Sequence, residues 1–223
     1  MNKTTIEWTD CTWNPISGCR RHCKDKEGGK YCYAERMSKR LEGRFGYPRG
    51  DPFRPTFHPG RLKEPYRLRK PLRIFTCSMG EMFGDWISQD WIEAILKGID
   101  DNPRHTFQIL TKNPKRLPEI DFPPNVWVGM SIDQQTAVTG LRFLLDSNAE
   151  VKFVSLEPLL EKVDMDLSGL GWVIIGGLTG ARPFIPEKKW VNQIILQARK
   201  VNVPIFLKDN LFWEERIQKF PVS

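Results

Sequence analysis

From about residue 70 onward, apolar and polar positions alternate in blocks along the chain. Short apolar, β-prone runs occupy 72–76, 106–110, 126–130, 151–155, 172–175 and 203–207. Most are apolar without a break, the pattern of a strand covered on both faces, as in a parallel sheet. Between them lie stretches with apolar residues at helical spacing, at 90–99, 137–145 and 188–200. The last of these follows Pro186, a helix-start signal. A β-prone run at 10–14 and a helical pattern at 33–41 extend the alternation toward the N-terminus. About seven βα units predict an α/β fold, TIM-barrel-like in preference to a Rossmann sheet. At 223 residues the chain is short for a full barrel. The expected form is therefore a partial (β/α) barrel of about six or seven parallel strands, open on one side. No internal repeat or low-complexity linker divides it, so 1–223 reads as one domain.

In a βα barrel, chemistry gathers at the carboxyl ends of the strands. Here those ends turn polar: 77–81, 111–113, 131–133, 155–158, 176–180 and 208–210. Ordinary βα turns are polar too. Even so, Lys112 and Lys208 directly after apolar strands, and Glu157 between Leu156 and Pro158, are costly to place there without partners. Two lysines at a barrel mouth favour an anionic substrate, and Lys112, Lys208 and Asp85 are the candidates for handling it. The lysines could equally be structural ion-pair partners of Glu157 or Asp209.

Charge sharpens this. The net charge is +7, yet residues 19–73 hold 17 Lys/Arg against 6 Asp/Glu, so the rest of the chain is net negative. Such a basic segment suits a polyanion, although a solvated surface would look similar. Tyr31, Tyr33, Phe45, Tyr47, Phe53, Phe57 and Tyr66 are interleaved with it, as base-stacking surfaces require. Prolines at 48, 52, 55, 59, 65 and 71 predict irregular, extended chain. No apolar run is long enough to span a bilayer and residues 1–7 lack a secretory core, so a cytoplasmic protein with no membrane partner is expected. Oligomeric state leaves no trace in the pattern.

Five cysteines, three of them at Cys19, Cys23 and Cys32, suit a metal site better than a disulfide framework. Gly28-Gly29 would let the loop return the third thiol toward the first two. Three soft ligands fit zinc, with His22, Cys11 or Cys77 as the fourth, or a 4Fe–4S cluster with one iron left open. Three unrelated reduced cysteines are the remaining reading.

Cys19-x3-Cys23 followed by the aromatic-Cys pair Tyr31-Cys32 resembles the signature of the radical S-adenosylmethionine superfamily. The wider pattern resembles a family of phage-associated proteins of unknown function with a three-cysteine motif. Its matching pieces include Thr-Trp-Asn-Pro at 12–15, Cys-Tyr-Ala-Glu-Arg-Met at 32–37, Leu-Thr-Lys at 110–112, Ser-Leu-Glu-Pro-Leu at 155–159 and Trp-Val-Ile-Ile-Gly-Gly at 172–177. Two departures stand out. The second cysteine gap is longer than the superfamily's usual two residues, and Ser78-Met79-Gly80-Glu81 stands where Gly-Gly-Glu is usual.

The resemblance implies that Cys19, Cys23 and Cys32 hold a 4Fe–4S cluster whose fourth iron binds S-adenosylmethionine. An electron from a donor protein then yields a 5′-deoxyadenosyl radical that modifies a nucleotide or nucleic acid. It makes 19–73 the cluster loop with a basic, proline-rich insertion. It further implies Ser78, Met79, Gly80 and Glu81 at the methionine end, and Ser131 and Glu157 at the carboxylate or ribose hydroxyls. Tyr31 or Tyr33 would lie against the adenine or the cluster loop, and Cys77 is either a thiol hydrogen donor or a buried cysteine. The competing expectations are a zinc-stabilised nucleic-acid-binding protein and a nuclease or hydrolase using Asp85, Asp133, Glu157 and Asp209. The last four show no recognised metal-binding spacing.

Overall fold

In the computed structural model the described residues are 1–20, 23–24, 28–180 and 182–221. Strand β1 is Asn2–Lys3, β2 Cys11–Trp13 and β3 Ile16–Ser17, followed by helix α1 (Tyr33–Arg40) and β4 (Thr56–Phe57). The alternation then runs β5 (Arg73–Thr76), α2 (Gln89–Asp100), β6 (Thr106–Thr111), β7 (Val126–Ser131), α3 (Leu141–Leu145), β8 (Val151–Leu156), β9 (Trp172–Ile175), α4 (Lys188–Lys200) and β10 (Ile205–Leu207). The main sheet has the order β1-β2-β5-β6-β7-β8-β9-β10. Every pair from β2 to β10 is parallel, and β1 joins the edge antiparallel. The result is a seven-strand parallel half-barrel, the partial barrel the alternation predicts. Its two edges are blunted, by β1 at one end and by residues 217–219 pairing with β10 at the other. β3 and β4, far apart in the chain, form a separate two-stranded antiparallel sheet.

The connections are leaner than helical periodicity suggests. The pattern at 137–145 is a 3-10 turn over Gln135–Gly140 leading into the short α3. A six-residue 3-10 segment with Pro118 inside it replaces a helix between β6 and β7. Between β8 and β9 no helix forms among the described residues. There Val163, Met165 and Leu167 are buried while Lys162, Asp164, Asp166 and Ser168 are exposed, so an extended strap with a two-residue period covers the sheet.

Two cores follow from strands buried on both faces. The outer one packs α2 (Ile92, Ile95, Ile99) and α4 (Val191, Ile194, Ile195) on outward residues such as Trp13, Ile74, Phe107, Val128, Val154 and Ile175. The inner one fills the concave face with Trp8, Phe75, Trp127, Phe153, Trp172, Ile174 and Phe206. Trp172 is its hub, meeting Trp8, Trp127 and Phe206 edge-on at 6.2, 5.9 and 6.0 Å and donating its indole N–H to Lys219 O at 2.8 Å. Edge-to-face pairs of this kind add about 0.5–1.5 kcal/mol each beyond burial. Phe153 lies flat over its register partner Gly129, where a Cβ would sit 2.4 Å from the ring. No helix is long and apolar enough to cross a membrane among the described residues.

The Gly129–Phe153 contact is testable. Gly129→Ala should lose about 1–3 kcal/mol of stability in urea titration through overpacking. Gly129→Ala combined with Phe153→Leu should recover part of that loss, whereas strictly additive losses would contradict the packing described.

Candidate functional site

The cysteine loop is anchored by a backbone approach that only glycine permits. Gly18 follows β3 with φ +85°, and a Cβ there would lie 2.2 Å from Arg54 O. Its N–H donates to Met79 O at 2.9 Å and its carbonyl accepts from the Glu81 N–H at 3.2 Å; the Cys19 N–H donates to Phe53 O at 2.9 Å. Cys19 is thereby strapped between residues 53–54 and the loop after β5. The loop then turns back: Lys24 bridges Lys30, Gly28 takes φ +80°, and the Tyr31 N–H donates to Cys23 O at 3.3 Å. That return sets Cys32 at the N-cap of α1. The Cys23 thiol hydrogen-bonds the Cys32 thiol and, with burial, pushes its pKa up, while the Glu35 and Ala34 N–H groups at the helix start pull the other way. His22 lies outside the described residues.

Cys19, Cys23 and Cys32 line one cavity of about 130 Å³ together with Tyr33, Ser78, Gly80, Glu81, Lys112 and Ser131. Cys77 reaches it as well, at φ +60° and 3% exposure, and burial pushes its thiol up to about 12. Cys11 faces the outer core instead, its thiol raised to about 11 by burial, and does not line this cavity. Among the described residues no three His, Cys, Asp or Glu side chains converge as ligands of a single metal ion.

A second cavity of about 430 Å³ adjoins the first, sharing Cys23, Cys32, Tyr33, Lys112 and Ser131. Its floor is the aromatic plug (Trp8, Phe75), and its walls include Tyr31, Arg36, Ser155, Glu157 and Lys208. The carboxyl end of β8 supplies Ser155, whose buried Oγ has no hydrogen-bond partner among the described residues. Lys208, from the end of β10, pairs with Glu157 and lies 4.0 Å from Glu7. A Cβ on Gly176 would press on both partners, at 3.0 Å from Lys208 Cδ and 3.2 Å from Glu157 Cδ, so the glycine makes room for the pair.

The charged strand ends are all compensated. Lys112 Nζ donates to Tyr31 Oη at 2.7 Å and to the Asp133 carboxylate, which also accepts from the Tyr31 hydroxyl. Burial alone would raise the Asp133 pKa, but Lys112 and these hydrogen bonds hold it below the usual carboxylate range. Burial and the same carboxylate push Tyr31 upward, so it stays protonated. Glu81 is a staple: its carboxylate accepts from Thr111 Oγ1 at 2.6 Å, the Lys112 N–H at 3.1 Å and the Phe83 N–H at 3.0 Å.

Of the residues singled out in the sequence, the three cysteines, Tyr31, Tyr33, Ser78, Gly80, Glu81, Lys112, Ser131, Glu157 and Lys208 gather around these two cavities. Met79 contributes only backbone, its N–H donating to Asn14 Oδ1 at 2.9 Å. Asp85 lies exposed on the turn into α2 and lines neither cavity. Asp133 and Glu157 answer to different lysines, and Asp209 accepts from Gln218 Nε2, so the four carboxylates of the hydrolase reading do not form one group. Sequence reasoning missed Asn14, which also accepts from Ser78 Oγ at 3.1 Å, and Arg36 as a wall residue; Ser155 stood at a polar strand end without an assigned role. Asn14 was visible as the first polar residue after β2.

Fold and site together define an α/β half-barrel whose carboxyl end carries a three-cysteine pocket. The sequence pattern of a family described as "Protein of unknown function (DUF5131)" matches residues 3–220, and the chain belongs to that family. No curated protein and no solved structure matches it.

Lys112→Met would leave the buried Asp133 carboxylate without its cation, at an expected cost of about 3 kcal/mol. Lys112→Met with Asp133→Leu should restore most of this in denaturant titration. A single-variant cost under about 1 kcal/mol would contradict the coupling.

Proposed function

We propose that this protein is a radical S-adenosylmethionine enzyme that modifies an anionic substrate, a nucleotide or nucleic acid. The observation that carries the reading is the contiguity of two cavities, one lined by Cys19, Cys23 and Cys32 and the other by polar groups, at the carboxyl ends of a half-barrel. The donor set fits an iron–sulfur cluster: the three ligands are soft, and each thiolate would bind its own iron. The amides at the start of α1 aim at the Cys32 sulfur and favour the thiolate that ligation needs.

The chemistry that the cluster and S-adenosylmethionine supply when bound is one-electron cleavage of the sulfonium carbon–sulfur bond and hydrogen abstraction from substrate. The chain's own residues bind and orient. The 430 Å³ cavity is of small-molecule size, within the usual range of roughly 300–1,000 Å³. Ser155 Oγ offers an unused donor and acceptor, and Glu157, oriented by Lys208, accepts from sugar hydroxyls. Ser131 stands at the junction of the two cavities. The Tyr33 hydroxyl donates to Ser78 O and ties α1 to the loop after β5, so its ring forms the wall between thiols and cavity. Glu81 acts by holding the ends of β5 and β6 together. The basic segment favours a phosphate-bearing substrate. An electron-donor protein completes the reaction, and a reducing cytoplasm keeps the thiols available.

Anaerobic reconstitution should load about four irons and four sulfides per chain, giving a brown protein. Cys23→Ala should lose the visible absorbance. With a reductant, the loaded protein should release 5′-deoxyadenosine from S-adenosylmethionine, and Ser155→Ala with Glu157→Gln should weaken S-adenosylmethionine binding about tenfold or more. Stoichiometric zinc with no iron uptake would contradict the proposal and favour the zinc-stabilised nucleic-acid-binding alternative.

A further inference from the structure

Phe45 is an anomaly that folding does not explain. Its side chain is 74% exposed, and its backbone sits at φ +52°, a region that bulky residues rarely adopt. The loop that carries it is nonetheless ordered. The Arg44 N–H donates to Leu41 O, the Tyr47 N–H to Arg44 O and the Gly43 N–H to Tyr47 O, each at 2.9 Å, and the Gly50 N–H donates to Glu42 Oε1 at 2.6 Å. Arg61 clamps the Phe45 carbonyl with one nitrogen and Asn14 O with another at 2.8 Å. Asn14 in turn holds Ser78 and Met79, beside the cysteine cavity. The ring is thus presented on a rigid tip braced against the end of β2. Strained, exposed and braced positions of this kind gather where a ligand is engaged.

Its surroundings name the ligand's chemistry. Lys39, Arg40, Arg44, Arg49 and Arg54 are all exposed around the loop, against Glu42 and Asp51. Among the described residues no carboxylate pairs with any of the four arginines. Half-exposed Tyr33 and Met37 stand one turn apart on α1, the helix that runs from the cavity wall to the loop carrying Phe45. Arginines recognise phosphate, and an aromatic ring on a tip needs an uncovered π-face to stack on. A duplex hides its base faces, whereas a single strand offers them.

We infer that Phe45 stacks on a base of a single-stranded stretch of nucleic acid whose phosphates lie along Arg40, Arg44, Arg49 and Arg54, which leads the strand over α1 to the cavity mouth. The inference rests on the anionic-substrate part of the function proposed above and not on the cluster.

The test is fluorescence anisotropy of the full chain with a labelled single-stranded oligonucleotide of about twenty nucleotides, needing neither iron, reductant nor S-adenosylmethionine. Its outcome is therefore separate from that of the cluster proposal. Phe45→Ala should weaken binding about tenfold. Phe45→Trp should retain affinity, with its fluorescence quenched on stacking. Neutralising the four arginines to Gln should remove most of the salt dependence, expected at a log–log slope of about −3 for four phosphate contacts. Phe45→Gly should be at least as thermally stable as the parent, because glycine relieves the positive φ. Unchanged affinity in Phe45→Ala, a blunt duplex bound as tightly as the single strand, or a mononucleotide or an acidic electron-donor protein bound in place of the oligonucleotide would each overturn the inference.

Discussion

The aromatic plug on the concave face is the contact on which the rest of the structure depends. Seven parallel strands do not close, so a half-barrel presents an inner surface that must be covered or filled. Here it is filled by rings gathered around Trp172, with Gly129 giving up its side chain so that Phe153 can lie across it. Trp8 and Phe220 come from outside the parallel strands, so both ends of the chain are bound into the plug. Filling the lower interior leaves space only at the carboxyl ends, where Ser131, Ser155, Lys112, Glu157 and Lys208 stand.

That placement puts charges where they are difficult to tolerate, and the mouth is correspondingly cross-linked. Lys112–Asp133–Tyr31 ties β6 and β7 to the cysteine loop; Lys208–Glu157 ties β10 to β8; Glu81 joins the ends of β5 and β6. Partly buried pairs add little net stability over apolar substitutes, so their value lies in fixing positions. Each link runs between elements that meet at the cavities. Gly18 adds a constraint of another kind, since its contact with Arg54 O leaves no room for any side chain.

Much of this was legible in the sequence. Unbroken apolar runs such as Trp172–Ile175 announce strands buried on both faces, and both faces are covered. Cysteine spacing with Gly28-Gly29 indicated a returning loop, and the loop returns. Helical periodicity overstated 137–145, because an apolar spacing cannot distinguish a 3-10 turn followed by a short helix from one helix. The strap at 161–171 was missed because its two-residue alternation reads as a strand without a partner. At the site, polarity at strand ends located Lys112, Glu157 and Lys208, but pairing is a three-dimensional property. Glu157 was one of the two partners the sequence offered the lysines, and Lys208 takes it; nothing in the spacing told that Lys112 answers to Asp133 or that Asp85 stays outside. Phe45 was one of seven interleaved aromatics that suit base stacking, but nothing in the sequence separates it, exposed, from Tyr47 and Phe53, which are buried.

The proposed function makes the three-thiol pocket and the adjoining cavity two halves of one cofactor site. Electron paramagnetic resonance of the anaerobically reconstituted, chemically reduced protein, recorded with and without S-adenosylmethionine, puts this to the test. An iron–sulfur signal is expected, absent in Cys23→Ala, and its line shape should change when S-adenosylmethionine is added, because the proposal seats that molecule in the cavity beside Cys23 and Cys32. A signal indifferent to S-adenosylmethionine, or no iron–sulfur signal at all, would contradict it.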